Sequence, residues 1–434
     1  MSSAPSAKQN VFSLRNFRLV FFGALVSDLG AVLYSFAVSF YILELSENDA
    51  FLQGLYLALG GAVLLLATPV GGVLGDRWNK AKIMFICDYL KGGLVLAATL
   101  GILIFPENRA QLAVLFIIGV LGNGVSGIFT PSASALLPHI VEEAQLQQAN
   151  AYFSAKGSLQ GILGVVLAGV LYAALPIHIL FAFVGVCYLL SGVSEMFIRY
   201  EHIPSPEKLT VKLALTDMRD GMRYLKTQKA IMALMAAILF VNFFFSPIGG
   251  NFVPYFVKTD VAGSASYLFD RVLTPELWSS VLEMLSGVSM LAGSLILSAR
   301  RPADKCGRRT ALLLCGMAGL MLAMTAGYWL LVSRGYSLNG FLLLLGTGEL
   351  AVGFLIAGIN IPVNTAIMRI VERDKLSKVS SILNILSMGL TPIASVLAGA
   401  VLKGFGSTAL LLVCSVGFSV TALFLLFNRR VSEI

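Results

Sequence analysis

Long apolar segments separated by short polar loops recur from one end of the chain to the other. Each is about 20 residues or longer, the length that an α-helix needs to cross the hydrocarbon core of a bilayer. The segments are too continuous for the strands of a membrane barrel, which alternate and run about ten residues. The pattern therefore predicts an all-α membrane protein with 12 transmembrane helices. The predicted spans are about 17–43, 51–75, 83–105, 111–137, 148–174, 178–199, 231–257, 279–299, 311–333, 339–368, 378–403 and 407–428.

Composition supports this class, since 57% of the residues are hydrophobic and only 12% are charged. A net charge of +8 could suggest a nucleic-acid partner, but the basic residues are concentrated at the termini and in alternate loops. By the positive-inside rule this places both termini in the cytoplasm. We expect a multi-pass protein of the cell (inner or plasma) membrane with no nucleic-acid partner. The few cations in the loops of the other side are Arg109, Lys258, Arg271, Arg334 and Lys403.

No enzyme, cofactor or metal site is predicted. The five cysteines are scattered without the spacing of a metal site, and we interpret them as small apolar residues. Because no phosphate-binding Gly-x-x-x-x-Gly-Lys-Ser/Thr motif occurs, ATP-driven transport by this chain alone is unsupported. The segment Gly122–Gly127 satisfies the Gly-x-Gly-x-x-Gly pattern of dinucleotide sites, but it lies inside an apolar span without a preceding strand. We instead expect its small residues to pack membrane helices closely.

The sequence repeats itself at an offset of about 230 residues. Ile140-Val141-Glu142 matches Ile370-Val371-Glu372, and Val166–Gly169 matches Val396–Gly399. Duplicated halves are how many secondary transporters are built, with the substrate site between them. The sequence predicts two pseudo-symmetric six-helix halves. They are 17–199 and 231–428, joined by a cytoplasmic linker at 200–230 with an amphipathic helix and flanked by cytoplasmic tails at 1–16 and 429–434.

Two charged loops carry the most specific motifs. The first loop follows the pattern Gly-x-Leu-x-Asp-Arg with later basic residues, through Gly72, Leu74, Asp76, Arg77, Lys80 and Lys82, with Asn79 replacing a usual glycine. A degenerate copy at 300–309 contains Asp304 and Arg308. This pattern resembles the loop signature of the major facilitator superfamily, and the whole chain resembles that family.

Further motifs resemble the macrolide-efflux and enterobactin-exporter type of facilitator, which implies a bacterial protein. They are Asp220–Leu225 followed by Asn242 and Pro247, and Leu137-Pro138 with the Ile140–Glu143 segment. Two features depart from the proton-coupled drug exporters of the superfamily. Gly164 is followed by Val165 where the antiporter motif has Gly-Pro, and residues 112–138 contain no arginine.

The resemblance implies a cytoplasmic gate at the two loops. Asp76 is expected to face the N-terminal end of the eleventh span near Lys378, where a carboxylate is favoured by the helix dipole. The alternative is a charge cluster that only sets membrane topology. The predicted gate residues are Gly72, Asp76, Arg77, Lys80, Asp304 and Arg308.

Three charges lie well inside predicted spans, where ionisable residues are functional by default. We expect Asp28 and Lys156 to interact in the central cavity, with Glu349 facing them from the other half. Because burial favours the protonated form of a carboxylic acid, Asp28 or Glu349 is the candidate proton carrier. The alternative is a static buried ion pair that fixes helix register.

The other intramembrane charges are interpreted as structural. Asp88 and Lys91 are three residues apart on one helix face and can neutralise each other. Glu283 and Glu195 lie near span ends, where they can reach the lipid headgroups. Aromatic and amide side chains crowd the spans expected to line the cavity. The predicted substrate-cavity residues are Tyr34, Phe36, Asn242, Phe245 and Asn360.

The sequence thus predicts a secondary transporter. The leading hypothesis is a monomeric exporter of hydrophobic or amphiphilic small molecules, macrolide-, drug- or siderophore-like, driven by protons and working by alternating access. The alternative is a lipid or lysophospholipid flippase of the same fold. A membrane enzyme is not expected, because the three histidines lie near span ends and no nucleophile–base set is present.

Overall fold

The computed structural model describes residues 10–142, 145–200, 223, 229–298, 306–370 and 387–428. Within these residues eleven helices are long and apolar enough to cross a membrane. The last of them, Thr391–Phe427, is interrupted at Gly406, whose φ of 78° lies outside the helical region. This break divides it into two spans, so the twelve predicted spans are accounted for and the all-α fold class is confirmed.

The helices are numbered in chain order. The first six are α1 (Arg15–Leu45), α2 (Ala50–Arg77), α3 (Lys80–Ile104), α4 (Asn108–Ile140), α5 (Leu146–Leu159, a π-turn at Gln160–Gly164, then Val165–Ala174) and α6 (Ile177–Met196). The next four are α7 (Lys229–Pro247, with π-turns at Ile248–Phe252 and Val257–Val261), α8 (Pro275–Ser298), α9 (Cys306–Gly327, with a π-turn at Tyr328–Ser333) and α10 (Leu338–Ile370). Gly406 separates α11 from α12 within Thr391–Phe427.

Two compact units are defined by their internal contacts. The first consists of Met1–Ser35, Val63–Gln160 and Leu175–Val211, and the second of Phe36–Ala62, Gly161–Ala174 and Lys212–Ile434. Helices α1, α2 and α5 therefore each contribute a segment to both units. In α5 the boundary falls at the π-turn that begins at Gln160.

The first unit is packed through small residues. A Cβ added to Gly92 of α3 would lie 2.8 Å from Leu189 of α6, and one added to Gly185 of α6 would lie 2.8 Å from Leu96 of α3. Gly127 of α4 makes an equally close contact with Ala67 of α2. The predicted packing role of the Gly122–Gly127 segment is therefore confirmed at Gly127, because membrane helices associate closely where side chains are small.

The second unit uses the repeated glycines in the same way. Gly399 of α11 lies against the backbone of Ala50 and Phe51 at the start of α2, and Gly169 of α5 lies against Ser280 of α8. These two glycines occupy matching positions in the predicted internal repeat. Both bring together helices from different sequence halves, as duplicated transporters do.

Several predicted features lie outside the described residues. They include almost all of the 200–230 linker with its amphipathic helix, the tail at 429–434, and the residues Asp304 and Lys378. The repeat segment that ends at Glu372 is described only as far as Ile370.

Candidate functional site

The first unit contains a cavity of about 470 Å³ between α1, α3, α4 and α5. This volume is within the range of small-molecule sites, which run from about 300 to 1,000 Å³. The wall is mainly apolar and carries a few polar groups, as such sites usually do. Its charged and hydroxyl-bearing residues are Ser27, Asp28, Lys91, Ser126, Thr130, Ser134 and Lys156.

An ion pair between Asp28 and Lys156 lies on this wall. Lys156 Nζ donates a hydrogen bond to Asp28 Oδ2, joining α1 to α5. The Lys156 side chain is only 7% exposed, whereas that of Asp28 is 42% exposed. The ammonium group also lies 5.0 Å from the centre of the Phe153 ring. The predicted interaction is therefore present, with Lys156 as the buried partner and Asp28 as the partner that the cavity can reach.

Hydroxyl groups on α4 line the same cavity and present hydrogen-bond acceptors to it. Thr130 donates to the Ser126 carbonyl and Ser134 donates to the Thr130 carbonyl, each at 3.0 Å. Because each hydroxyl proton is used within the helix, the oxygen lone pairs are what these side chains offer a ligand. Phe129 and Phe153 add aromatic surface to the same cavity. The wall is therefore suited to an amphiphilic ligand with an apolar body and polar donors.

Asp88 interacts electrostatically with Lys91, as predicted, whereas Glu195 does not lie where the sequence placed it. Both side chains are fully buried, so the interpretation that Glu195 reaches the headgroups is wrong. Sequence position near the end of α6 suggested exposure, but α1 covers that end: Ser191 donates to Gly23 O at 2.9 Å and Ser194 donates to Leu19 O at 3.0 Å. This packing removes Glu195 from the surface.

Glu349 lies in the second unit, on α10. Its carboxyl group interacts with Ser286 and Glu283, both on α8. Helices α8 and α10 pack closely here, since a Cβ on Gly353 would lie 2.9 Å from the backbone nitrogen of Met290. Its predicted approach to Asp28 and Lys156 stays a prediction.

The predicted substrate-cavity residues are not among those lining the described cavity. Tyr34 packs its ring 5.2 Å from that of Phe181 of α6 in the first unit. Phe36 is buried in the second unit beside Phe40, with the ring centres 4.8 Å apart. Their assignment to a substrate cavity stays a prediction, since an aromatic side chain in a span packs against other helices as readily as against a ligand.

The two amides and the remaining aromatic residue lie in the second unit. Asn242 Nδ2 donates to the Ser387 carbonyl at 2.9 Å, which gives this polar group the partner that a membrane interior requires. Phe245 is partly buried, and Asn360 is exposed near the end of α10.

The first charged loop is shorter than the pattern suggested. Helix α2 continues to Arg77 and α3 begins at Lys80, with Asn79 capping α3 by accepting a hydrogen bond from Lys82 N at 3.2 Å. The residue that departs from the family pattern thus acts as an N-cap. Lys80 is buried and its backbone N–H donates to the Tyr200 hydroxyl at 2.7 Å.

The gate itself is described only in part. The side chains of Asp76 and Arg77 lie outside the described part of the structure, as does all of Asp304. Among the described residues nothing lies within 4 Å of a Cβ on Gly72, whereas a Cβ on the preceding Gly71 would lie 2.6 Å from Ile128 Cα. Arg308 is exposed in the first turn of α9.

A group of ion pairs in the second unit was not predicted. We call it the distal cluster: Glu44, Asp49, Lys258, Glu276 and Lys403. Lys258 lies 3.1 Å from Glu276 and 3.4 Å from Glu44, and Lys403 lies 2.5 Å from Asp49. A signal was available in the sequence, because Lys258 and Lys403 are two of the few cations in the loops predicted to lie on the side opposite the cytoplasm.

The distal cluster joins the two sequence halves. It links the end of α1 and the start of α2 to the ends of α7 and α11 and the start of α8. Tyr172 of α5 donates to Glu44 Oε2 at 3.3 Å, and its ring lies beneath Lys258. Beside it, Gln53 is fully buried and donates to Ser39 at 2.8 Å. Charged and polar contacts thus reinforce the glycine contacts of α2 with α11.

Membrane-spanning helices around a mainly apolar cavity with a few charged groups are the architecture expected of a membrane transport protein. The sequence profile of the Major Facilitator Superfamily matches residues 20–302, and the chain belongs to this superfamily. It is therefore a multi-pass membrane transporter and not an enzyme, and the predicted family resemblance is confirmed.

Sequence relatives include both uncharacterised and named proteins. The chain is 24% identical over 356 residues to the uncharacterised MFS-type transporter YkuC of Bacillus subtilis, covering 79% of this chain and 78% of that protein. It is 25% identical over 260 residues to macrolide efflux protein A of Streptococcus pyogenes, covering 58% and 62%. It is 25% identical over 245 residues to the putative bacilysin exporter BacE of Bacillus amyloliquefaciens, covering 55% and 59%. The matches span less than two thirds of the two exporters.

Solved structures show the same fold at low sequence identity. A POT family transporter in complex with a thioalcohol-conjugated peptide matches with a TM-score of 0.74 at 14% identity, covering 98% of this chain and all of that one. The nucleoside transporter NupG matches with a TM-score of 0.74 at 12% identity, covering 95% of this chain. These similarities support the fold class alone.

Proposed function

We propose that this transporter exports hydrophobic or amphiphilic small molecules in exchange for protons, by alternating access. The observation that carries the proposal is the Asp28–Lys156 ion pair on the wall of a small-molecule-sized cavity. Protonation of Asp28 removes the negative partner of Lys156, so binding of a proton changes how two helices are held together. A substrate and a proton can then compete for the same carboxylate.

Export is favoured by the relatives, because two of them are named for macrolide efflux and, putatively, for bacilysin export. The flippase alternative has no comparable support.

The two departures from the usual proton-coupled drug exporters are consistent with a different proton route, one that uses Asp28 in α1. We further propose a monomer in a bacterial cell membrane with both termini in the cytoplasm, and the two charged loops acting as the gate on that side.

Transport by purified protein tests the proposal. In proteoliposomes, a pH gradient imposed across the membrane is expected to drive the movement of ethidium, a hydrophobic cation, or of erythromycin, a macrolide. Collapse of the gradient with a protonophore should return uptake to the level of protein-free vesicles. Flux that ignores the gradient, together with movement of a fluorescent phospholipid, would favour the flippase alternative instead.

Under alternating access, the distal cluster closes one end of the transporter and must break when that end opens. Replacement of Lys258 by Met removes the partner of both Glu44 and Glu276 at once. Exposed ion pairs contribute up to about 1 kcal/mol. The side chains of Lys258 and Glu276 are only 15% and 16% exposed, so the loss is larger and we expect the open population at this end to rise by more than about fivefold. The measurement is the rate at which a maleimide labels Gln53→Cys, a buried position beside the cluster, in a variant whose native cysteines are replaced by serine.

Arg271→Met is the matched control, because it removes an exposed cation from the α7–α8 loop on the same side. It is expected to leave the labelling rate unchanged. Equal acceleration in both variants would show that net charge, and not the ion pairs of the distal cluster, governs opening.

A further inference from the structure

Asp88 of α3 and Glu195 of α6 form a buried acid pair that the proposed function does not use. Both side chains have no solvent exposure, and none of their four carboxyl oxygens accepts a hydrogen bond from a residue that the structure describes. Ser191 lies beside Asp88, but its hydroxyl proton is donated to Gly23 O at 2.9 Å. Two carboxylates left ionised in this position would be costly, since burial of a charge requires a partner.

Among the described residues, one cation is available to the pair. The carboxyl groups interact electrostatically with each other and with Lys91, and more weakly with Asp28 of α1. Lys91 lies 4.3 Å from the centre of the Phe129 ring and 5.5 Å from that of Tyr188. The other titratable group at the pair is the Cys87 thiol. Lys156 is already paired with Asp28.

The net charge of Lys91 and the two carboxyl groups indicates how many protons the acid pair holds. With Lys91 as an ammonium ion, two ionised carboxylates leave the group with one uncompensated negative charge in a dry interior. One ionised carboxylate and one carboxylic acid leave it neutral. Like-charged carboxyl groups that share a site hold a proton between them for this reason.

The pair also has a connection to the cavity. Met84 and Lys91 of α3 both line it, and Asp88 lies between them on the same helical stripe, four residues from one and three from the other. Lys91 is therefore both the counter-ion of the acid pair and part of the wall that carries Asp28. A proton that leaves the pair can pass to cavity water beside Lys91.

We propose that Asp88 and Glu195 share one proton at neutral pH and form a second proton-binding site that exchanges with the cavity. Its use in the transport cycle rests on the proposed function, whereas the shared proton itself does not. When a cationic substrate enters the cavity, the added positive charge favours loss of this proton to water. Both carboxyl groups are then ionised, with Lys91 and the substrate as counter-ions.

Infrared spectroscopy of the purified protein at neutral pH tests the shared proton. A protonated carboxylic acid has a carbonyl stretch at higher frequency than the bands of a carboxylate. The wild-type spectrum minus that of Glu195→Gln is expected to contain this stretch, because Asp88 alone would be ionised beside Lys91. Asp88→Asn should lose it for the same reason, so either variant that folds decides the question.

Lys91→Met is expected to change the intensity of the carbonyl stretch in the opposite direction. Without the ammonium group the neutral state holds two protons, so the carbonyl stretch should gain intensity relative to wild type. Glu349→Gln is the matched control, since it removes a half-buried carboxyl group of the second unit and should keep the signal of the pair. A wild-type-minus-Glu195→Gln spectrum that contains carboxylate bands alone would overturn the proposal.

Transport measurements separate the two proposals. Gradient-driven ethidium flux should weaken in Glu195→Gln while downhill flux without a gradient is retained. If wild-type flux ignores the gradient, the proposed proton coupling fails even where the infrared signal is present. If wild-type flux follows the gradient and Glu195→Gln retains full coupling, the acid pair has no part in transport and this inference fails alone.

Discussion

Replacement of Asp28 by Asn is expected to abolish gradient-driven transport and to destabilise the protein as well. Asn cannot take up and release a proton, so the exchange of proton for substrate at this position is lost. The structural consequence follows from the unequal burial of the pair, because Lys156 is 7% exposed and would be left in the interior without its anionic partner. Removing one member of a buried ion pair costs about 3–5 kcal/mol. The lower part of that range applies, since Asp28 itself is 42% exposed.

Replacement of the partner residue, Lys156, should destabilise the protein less than replacement of Asp28. Lys156→Met leaves Asp28 facing the cavity, where water can solvate the carboxylate. The double variant Asp28→Asn/Lys156→Met is expected to recover the thermal stability lost in Asp28→Asn, but not gradient-driven flux. Stability is measured by thermal unfolding in detergent and coupling by flux in proteoliposomes, and the double-mutant cycle isolates the pair.

Three results would count against this account. Gradient-driven flux in Asp28→Asn at the wild-type level would remove Asp28 from the proton route. Equal loss of stability in both single variants would show that the two partners are buried alike. A double variant that recovers both stability and coupled flux would favour the alternative of a static ion pair.

Replacement of Gly399 by Ala is expected to weaken closure of the transporter at the end that contains the distal cluster. The added Cβ would lie 2.5 Å from the Ala50 carbonyl oxygen and 3.0 Å from the Phe51 Cα. Both are backbone atoms at the start of α2, so relief requires the two helices to separate. Overpacking of this kind costs about 1–3 kcal/mol, which corresponds to a change of about 5- to 150-fold in the population of the open state.

Maleimide labelling of Gln53→Cys measures that population, because Gln53 is fully buried in the closed arrangement. Gly404→Ala is the matched control on the same helix, since no described atom of another part of the chain lies within 4 Å of its Cβ position. Faster labelling in Gly399→Ala than in Gly404→Ala is the expected result. The same labelling rate in both would mean that α2 and α11 absorb the methyl group without separating.

The sequence predicted that the Gly122–Gly127 segment packs helices closely, and Gly127 does so against Ala67. It identified the repeat that contains Gly169 and Gly399, but the close helix contacts of these two residues were not predicted. It also paired Asp28 with Lys156 from their depth in α1 and α5. It misplaced Glu195, because nearness to the end of a span does not reveal whether another helix covers that end. The distal cluster was missed since its partners come from five separate helices.

The sequence by itself determined the class of the protein, the number of spans and the membership of the Major Facilitator Superfamily. These depend on hydropathy and local motifs, which can be counted along the chain. Only the tertiary structure decided which charges are buried, which are paired, and which side chains line the cavity. The physical reason is that the free energy of a charge in a membrane depends on its partners and its solvation. For Lys91, Asp88 and Glu195 the partners and the burial are supplied by helices that are far apart in sequence.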